Sequence, residues 1–380
     1  MNARRALVVA TAVLLTAPMA RSGHELPVYP SYYPHEIEIA AITPERAAEL
    51  MPSGKLHAYV GGTPAFAAAP DDKIGIVESL GAFVVVRLNP DSPHAKDETS
   101  ACATAAAIVR DMGARAGSSG FLAHPYPVTP FHGDYLAHAD RAETARRRIL
   151  GGDAPSLPGG LEVRARGLAR SLVRPEWLSD GTWDAAIEEV GAADLVANAT
   201  VALNGWLGPR WARSGWFHAY RLLEGSITDG ARKQEVEAIV ARLQTGAYAG
   251  NVERLNLERE LVGLLASGCR TMVAGYKVKR EHFNAEFSAG IENISFDALQ
   301  GFSSPMFLRT VKLKDFPWNG WLQLGVAVQP TSAWNPIGGF TDPFGRLMWF
   351  AIADPAAIPS PYEAAWTLNR ISEVEALPPR

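Results

Sequence analysis

The segment from His124 to Asp140 places the strongest local constraint on how this chain of 380 residues folds. Its first half contains three prolines, which lack amide donors and push the preceding residues towards extended geometry, so this half cannot be helical. From Asp134 the pattern becomes that of a helix, which we predict to run to Ile149. A stiff loop therefore leads directly into a helix start.

This segment combines imidazole and carboxylate side chains, which suit a metal ion. We predict a divalent metal site with the ligands His124, His132, Asp134 and His138, supporting hydrolysis or oxidation. Asp134 and His138 lie four residues apart, on one face of the predicted helix. Nitrogen and oxygen ligands without thiolate favour zinc, copper or iron. The alternative is that Asp134 only caps the helix and His138 is a surface residue.

Aromatic residues interleaved with Asn and Arg form a second constellation. The predicted ligand-binding residues of this set are Trp206, Trp211, Trp216, His218, Trp318 and Trp334. Aromatic faces beside polar donors suit stacking on a flat ligand, although large aromatics also fill helix–sheet interfaces. On this alternative the chain is a non-enzymatic periplasmic solute-binding or accessory protein that holds a small ligand in an aromatic cleft.

Residues 1–20 have the pattern of a cleaved secretory signal peptide. Arg4 and Arg5 precede an apolar run, Ala6 to Ala17, that is too short to span a bilayer. No later window supplies the ~18 apolar residues that a membrane-spanning helix needs. We therefore expect a mature chain without a transmembrane segment, in the periplasm or secreted.

Export makes the two cysteines informative, because disulfides persist in oxidising compartments. Cys102 and Cys269 are the only pair available, and a bridge between them is one of two interpretations. The other is two separate buried thiols that behave as small apolar residues.

Composition and missing motifs exclude several classes of function. The chain is 47% hydrophobic and 20% charged, as in globular proteins, and its net charge of −4 without a basic cluster argues against a nucleic-acid partner. No glycine-rich phosphate loop is present, so we expect no nucleotide cofactor. No Cys-x-x-Cys-His motif is present, so covalent haem is excluded.

The order of elements predicts an α+β (mixed α/β) fold in two lobes. We expect an N-terminal α+β domain over 27–150, a linker over 151–160, and a helical plus C-terminal β domain over 161–380. In the second lobe a helical segment is closed by C-terminal antiparallel strands. Its predicted helices cover 183–193, 231–243 and 252–265, and its predicted strands cover 307–313, 321–328 and 347–352. Charged residues of the third helix, Glu258 among them, are interpreted as a solvent face.

Overall fold

The fold was taken from a computed structural model. It describes residues 34, 36–117, 119–151, 159–197, 209–315, 320–331, 340, 342–352, 357–360, 365–368 and 372. The predicted signal peptide at 1–20 lies outside these residues.

A mixed eight-stranded sheet forms the centre of the molecule. Its strands are β1 (Glu36–Ala41), β2 (Ala58–Val60), β3 (Ile74–Leu88), β4 (Phe121–Ala123), β5 (Val163–Ala165), β6 (Ala185–Gly191), β7 (Thr271–Asn284) and β10 (Trp321–Val326). The strand order is β1-β10-β2-β7-β3-β6-β5, with β4 paired to β7 beside this path. Short pairs lie outside it: β8 (Ile291–Glu292) with β9 (Lys312–Leu313), and β11 (Ala357–Pro359) with β12 (Trp366–Leu368).

Strands β3 and β7 are the longest in the sheet and pair antiparallel along almost their whole length. Gly81 lies in the middle of β3, and the strand continues through it. The register shifts between Leu80 and Ala82, and a Cβ at Gly81 would lie 3.1 Å from the Lys277 carbonyl oxygen. The glycine thus permits a bulge inside one continuous strand rather than a turn between two.

Helices cover both faces of the sheet. They are α1 (Pro44–Leu50), α2 (Glu98–Arg115), α3 (Ala139–Leu150), α4 (Leu168–Leu172), α5 (Ala192–Ala197), α6 (Gly215–Leu223), α7 (Gly230–Thr245), α8 (Asn251–Leu265), α9 (Pro305–Thr310) and α10 (Pro343–Ile352). The apolar faces of α6, α7 and α8 pack in one buried cluster with Phe83 and Tyr276 of the sheet. The alanine-rich α2 packs in another cluster with Val84 and Met272. Because neighbouring strand residues point to opposite faces, β3 supplies side chains to both layers.

The predicted disulfide is confirmed. Cys102 on α2 and Cys269, just before β7, are bridged with their Cα atoms 4.8 Å apart. The Glu98 carboxylate accepts a hydrogen bond from the Cys269 amide at 2.8 Å. This bond is a second link between α2 and the residues that precede β7. The bridge therefore ties a helix of the first half of the chain to the longest strand of the second half.

The mixed α and β fold class is confirmed, but several elements inside it differ from the prediction. The predicted helix at 183–193 contains strand β6, whose seven residues all pair with β3. The predicted strands at 307–313 and 347–352 are replaced in large part by the helices α9 and α10. The C-terminal strand β10 is parallel to both of its neighbours, not antiparallel. Alanine and glutamate favour helix locally, but backbone pairing with a long buried strand overrides that preference in β6.

The sheet draws strands from both sides of residues 151–160. The division into two domains at that linker stays a prediction. Within the described residues, no helix has both the length and the apolar character needed to cross a membrane.

Candidate ligand site

A cleft of about 710 Å³ opens between α7, α8 and the chain around residues 133–137 and 210–216. Trp211, Trp216 and Tyr248 give it aromatic walls. Asp134 and Glu258 add two carboxylates to the lining. The cleft therefore combines aromatic faces with many polar and charged groups, Arg210 and Arg254 among them.

Asp134 does not cap its own helix. The residues after it form a short 3-10 turn, Tyr135–His138, before α3 begins. Both carboxylate oxygens of Asp134 instead accept the Gly215 amide, each at 3.0 Å, and one also accepts the Trp216 amide at 3.4 Å. Asp134 thus occupies the start of α6, where free amides and the helix dipole favour a negative charge.

His138 ends the 3-10 turn and is fully buried, contrary to the alternative that made it a surface residue. Its Nδ1 lies 3.0 Å from the Tyr126 hydroxyl. Its Nε2 has no hydrogen-bond partner among the described residues. Burial lowers the pKa of His138, although the nearby Asp134 opposes this shift. The imidazole is therefore neutral near pH 7 and has one unused nitrogen.

Glu258, on α8, is the residue that the sequence analysis placed wrongly. It is 1% exposed instead of lying on a solvent face. Arg254 donates to its Oε1 at 2.6 Å, while its Oε2 has no partner within the described part of the chain. Burial is the main cause that raises the pKa of Glu258, to about 7, with Asp134 adding to the rise and Arg254 opposing it.

These three side chains converge from separate elements. One potential ligand atom from each of Asp134, His138 and Glu258 lies within 4.8 Å of the other two. Two carboxylates and one imidazole are thus brought together at the cleft. The sequence identified the first two, and the helical spacing of Glu258 with Leu261 and Leu265 was the signal that could have revealed the third.

The remaining predicted metal ligands lie elsewhere. His132 is buried, and its Nε2 is 3.0 Å from Nδ1 of His218. The Thr129 amide donates to His132 Nδ1 at 2.9 Å, so Nε2 must carry the proton and donate to His218. Burial lowers the pKa of His132 to about 3 and lowers that of His218 well below its usual value. His124 contacts the Val128 carbonyl through Nε2 at 2.9 Å.

The aromatic set is divided in a similar way. Trp211 and Trp216 line the cleft with ring centroids 6.1 Å apart, while His218 is buried against Phe83 and does not contribute to the lining. The other members of the set, Trp206, Trp318 and Trp334, lie outside the described residues.

No family model matches this sequence, and a search of curated proteins finds no significant match. Solved structures show a distant likeness. NikZ from Campylobacter jejuni in complex with Ni(L-His) is 14% identical, with 66% of this chain and 55% of that chain covered and a TM-score of 0.33. The oligopeptide-binding protein AppA from Bacillus subtilis is 9% identical, with 71% and 58% covered and a TM-score of 0.38. DppA from Helicobacter pylori, a periplasmic binding protein in complex with a peptide, is 11% identical, with 72% and 55% covered and a TM-score of 0.37.

The chain matches little more than half the length of these proteins. At such TM-scores the likeness says nothing about what this chain binds. Its function has to be argued from its own residues.

Proposed function

We propose that this chain is a non-enzymatic exported protein that binds a small ligand in the cleft between α6, α7 and α8. The observation that carries the proposal is the cleft itself. Its volume of about 710 Å³ falls in the range of about 300–1,000 Å³ typical of small-molecule sites. Its lining sets Trp211, Trp216 and Tyr248 beside carboxylate and guanidinium groups, which suits a ligand with a flat or apolar part and a polar part. The export pattern of residues 1–20 supports a location in the periplasm or outside the cell.

The proposal is tested by ligand-dependent stabilisation. Mature protein would be screened by thermal unfolding against amino acids, short peptides, sugars and metal chelates, and a hit titrated by tryptophan fluorescence. A ligand at 100 times its Kd stabilises the folded state by about 2.7 kcal/mol, so a true ligand raises Tm with concentration.

The matched variants for this test are Trp211→Ala and Trp183→Ala. Trp211 lines the cleft, whereas Trp183 lies under the Arg164 guanidinium. We expect Trp211→Ala to weaken binding by about tenfold or more and Trp183→Ala to leave the Kd unchanged. Equal weakening by both variants, or no stabilising ligand in the whole screen, would contradict the proposal.

Hydrolysis or oxidation at residues 124–138 was the first expectation from the sequence, and it stays a prediction. An activity screen on the same preparation would test it.

A further inference from the structure

We propose that the cleft holds its ligand through a divalent transition-metal ion bound by Asp134, His138 and Glu258. This inference rests on the proposed ligand-binding function and specifies the chemistry of the same site. It differs from the metal site expected from the sequence, because Glu258 takes the place of His124 and His132.

The buried polar atoms of the site point to a bound cation. His138 is 0% exposed and Glu258 1%, yet Nε2 of the first and Oε2 of the second have no hydrogen-bond partner among the described residues. Buried polar atoms in folded proteins are nearly always satisfied, so each such atom needs an explanation. A cation explains both at once, since it accepts a lone pair from the imidazole nitrogen and another from the carboxylate oxygen.

The other polar atoms of these side chains are held by neighbours that leave the ligand atoms available. The Tyr126 hydroxyl, 3.0 Å from Nδ1, can accept a hydrogen bond from the Nδ1–H tautomer of His138, which leaves Nε2 unprotonated for a metal. Metal-binding histidines are usually fixed by such a contact of the second ring nitrogen. Arg254 occupies Oε1 of Glu258 and leaves Oε2 available. Amides of α6 orient Asp134, whose oxygens keep further lone pairs.

The donor set of the site is typical of a transition-metal ion. One imidazole and two carboxylates suit zinc, copper or nickel better than magnesium, which prefers an all-oxygen octahedron with several waters. Ligand atoms around a tetrahedral ion lie about 3.4 Å apart when each bond is about 2.1 Å. Separations within 4.8 Å therefore close onto an ion after side-chain movements of about 1 Å.

The site is accessible from the cleft. Asp134 and Glu258 line the cleft, whereas His138 lies buried behind them. Three protein ligands leave at least one coordination position open, and here it faces the cleft. A ligand bound between Trp211 and Tyr248 is thus placed to complete the coordination of the ion.

The test is calorimetric titration of chelator-stripped mature protein with zinc chloride alone, with magnesium chloride as the comparison. We expect about one equivalent of zinc to bind, and affinity to fall at least tenfold in His138→Ala and in Glu258→Gln. His94→Ala, on a distant 3-10 turn, is the control for losing an imidazole and should bind as the wild type does. Glu258→Gln keeps the shape of the side chain, so it tests the site even if His138→Ala does not fold.

Copper loading of the wild type gives a readout that does not depend on a variant. We expect the electron paramagnetic resonance spectrum to show coupling to a single imidazole nitrogen. No coupling, coupling to several nitrogens, or zinc binding unchanged in Glu258→Gln would overturn the inference.

The ligand screen, repeated with chelator present, separates this inference from the proposed function. If a ligand from the screen binds the metal-free wild type with unchanged affinity, the proposed role of the metal ion is refuted, while the proposed ligand binding stands. Zinc binding without any organic hit supports the metal site alone. If neither an organic ligand nor zinc binds, both the proposed function and the metal site are refuted.

Discussion

Replacing Glu258 by glutamine should remove a large pH dependence of stability. The carboxyl group is buried, with Arg254 as its one described hydrogen-bond donor and Asp134 close enough to raise its pKa. Its pKa is about 7 in the folded protein, against an ordinary value of 4.5. Glutamine has nearly the same shape but carries no proton that depends on pH.

The sign and size of the effect follow from this difference in pKa. Between pH 4.5 and about 7 the folded state keeps a proton on Glu258 that the unfolded state has released. The free energy of unfolding therefore falls as the pH rises through this window. At about 1.4 kcal/mol per pH unit, the loss is about 3 kcal/mol and is complete above pH 7. The Glu258→Gln variant does not show this loss of unfolding free energy.

The assay is urea unfolding of wild type and Glu258→Gln at intervals from pH 4 to pH 8, with chelator present to keep metal ions out of the comparison. The free energy of unfolding of the variant minus that of the wild type should rise by about 3 kcal/mol across the window. Subtraction removes the opposite trend from the buried histidines, whose lowered pKa values cost stability as the pH falls below 6.5. Glu260→Gln, on the exposed side of the same helix, controls for the loss of one charge. A difference that is flat, or that falls with pH, would refute the reasoning, since it would mean that Arg254 keeps Glu258 ionised.

Two further predictions concern stability. Replacing Cys102 and Cys269 together by alanine should lower the free energy of unfolding by up to about 5 kcal/mol, because the disulfide links residues 167 positions apart. Equal urea midpoints for the wild type and the double variant would contradict this prediction. Arg213→Ala should lower the free energy of unfolding by about 3–5 kcal/mol, because it leaves the fully buried Asp297 carboxylate without its ion-pair partner. As a control, replacing the exposed Arg210 by alanine should change the free energy of unfolding by less than about 0.5 kcal/mol. Similar losses in the two variants would contradict a stabilising role for the Arg213–Asp297 pair.

Secondary structure was predictable where local signals agreed with the tertiary structure. Helix α7 was expected over 231–243 and covers Gly230–Thr245, with the Asp229 side chain accepting two amides at its start. Helix α8 was equally clear. The short helix α9 was missed because alternating apolar residues resembled a strand, although Ser304 as cap and Pro305 at the first position were helix-start signals.

The candidate site was predictable in part, for a similar reason. The unusual 124–140 segment drew attention to Asp134 and His138, and both lie at the site. Glu258 was missed because a charged residue between other charged residues normally faces solvent. It lies instead three residues before Leu261 and seven before Leu265, on the buried face of α8. Only the packing of α8 onto the 3-10 turn of residues 135–138 shows that this carboxylate meets the imidazole.

The position of β10 between β1 and β2 has a consequence for the order of folding. Among the described strands, β1 pairs with β10 alone, and the paired residues come from nearly opposite ends of the chain. Strand β1 is therefore among the last of these strands to be secured, because its partner lies 285 positions further along the chain (Glu36 pairs with Trp321). Until then the edge of β2 that will receive β10 has no neighbour and offers free amides and carbonyls to any other strand. Pairings between such distant segments form slowly, so folding passes through a long interval in which β1 is unpaired.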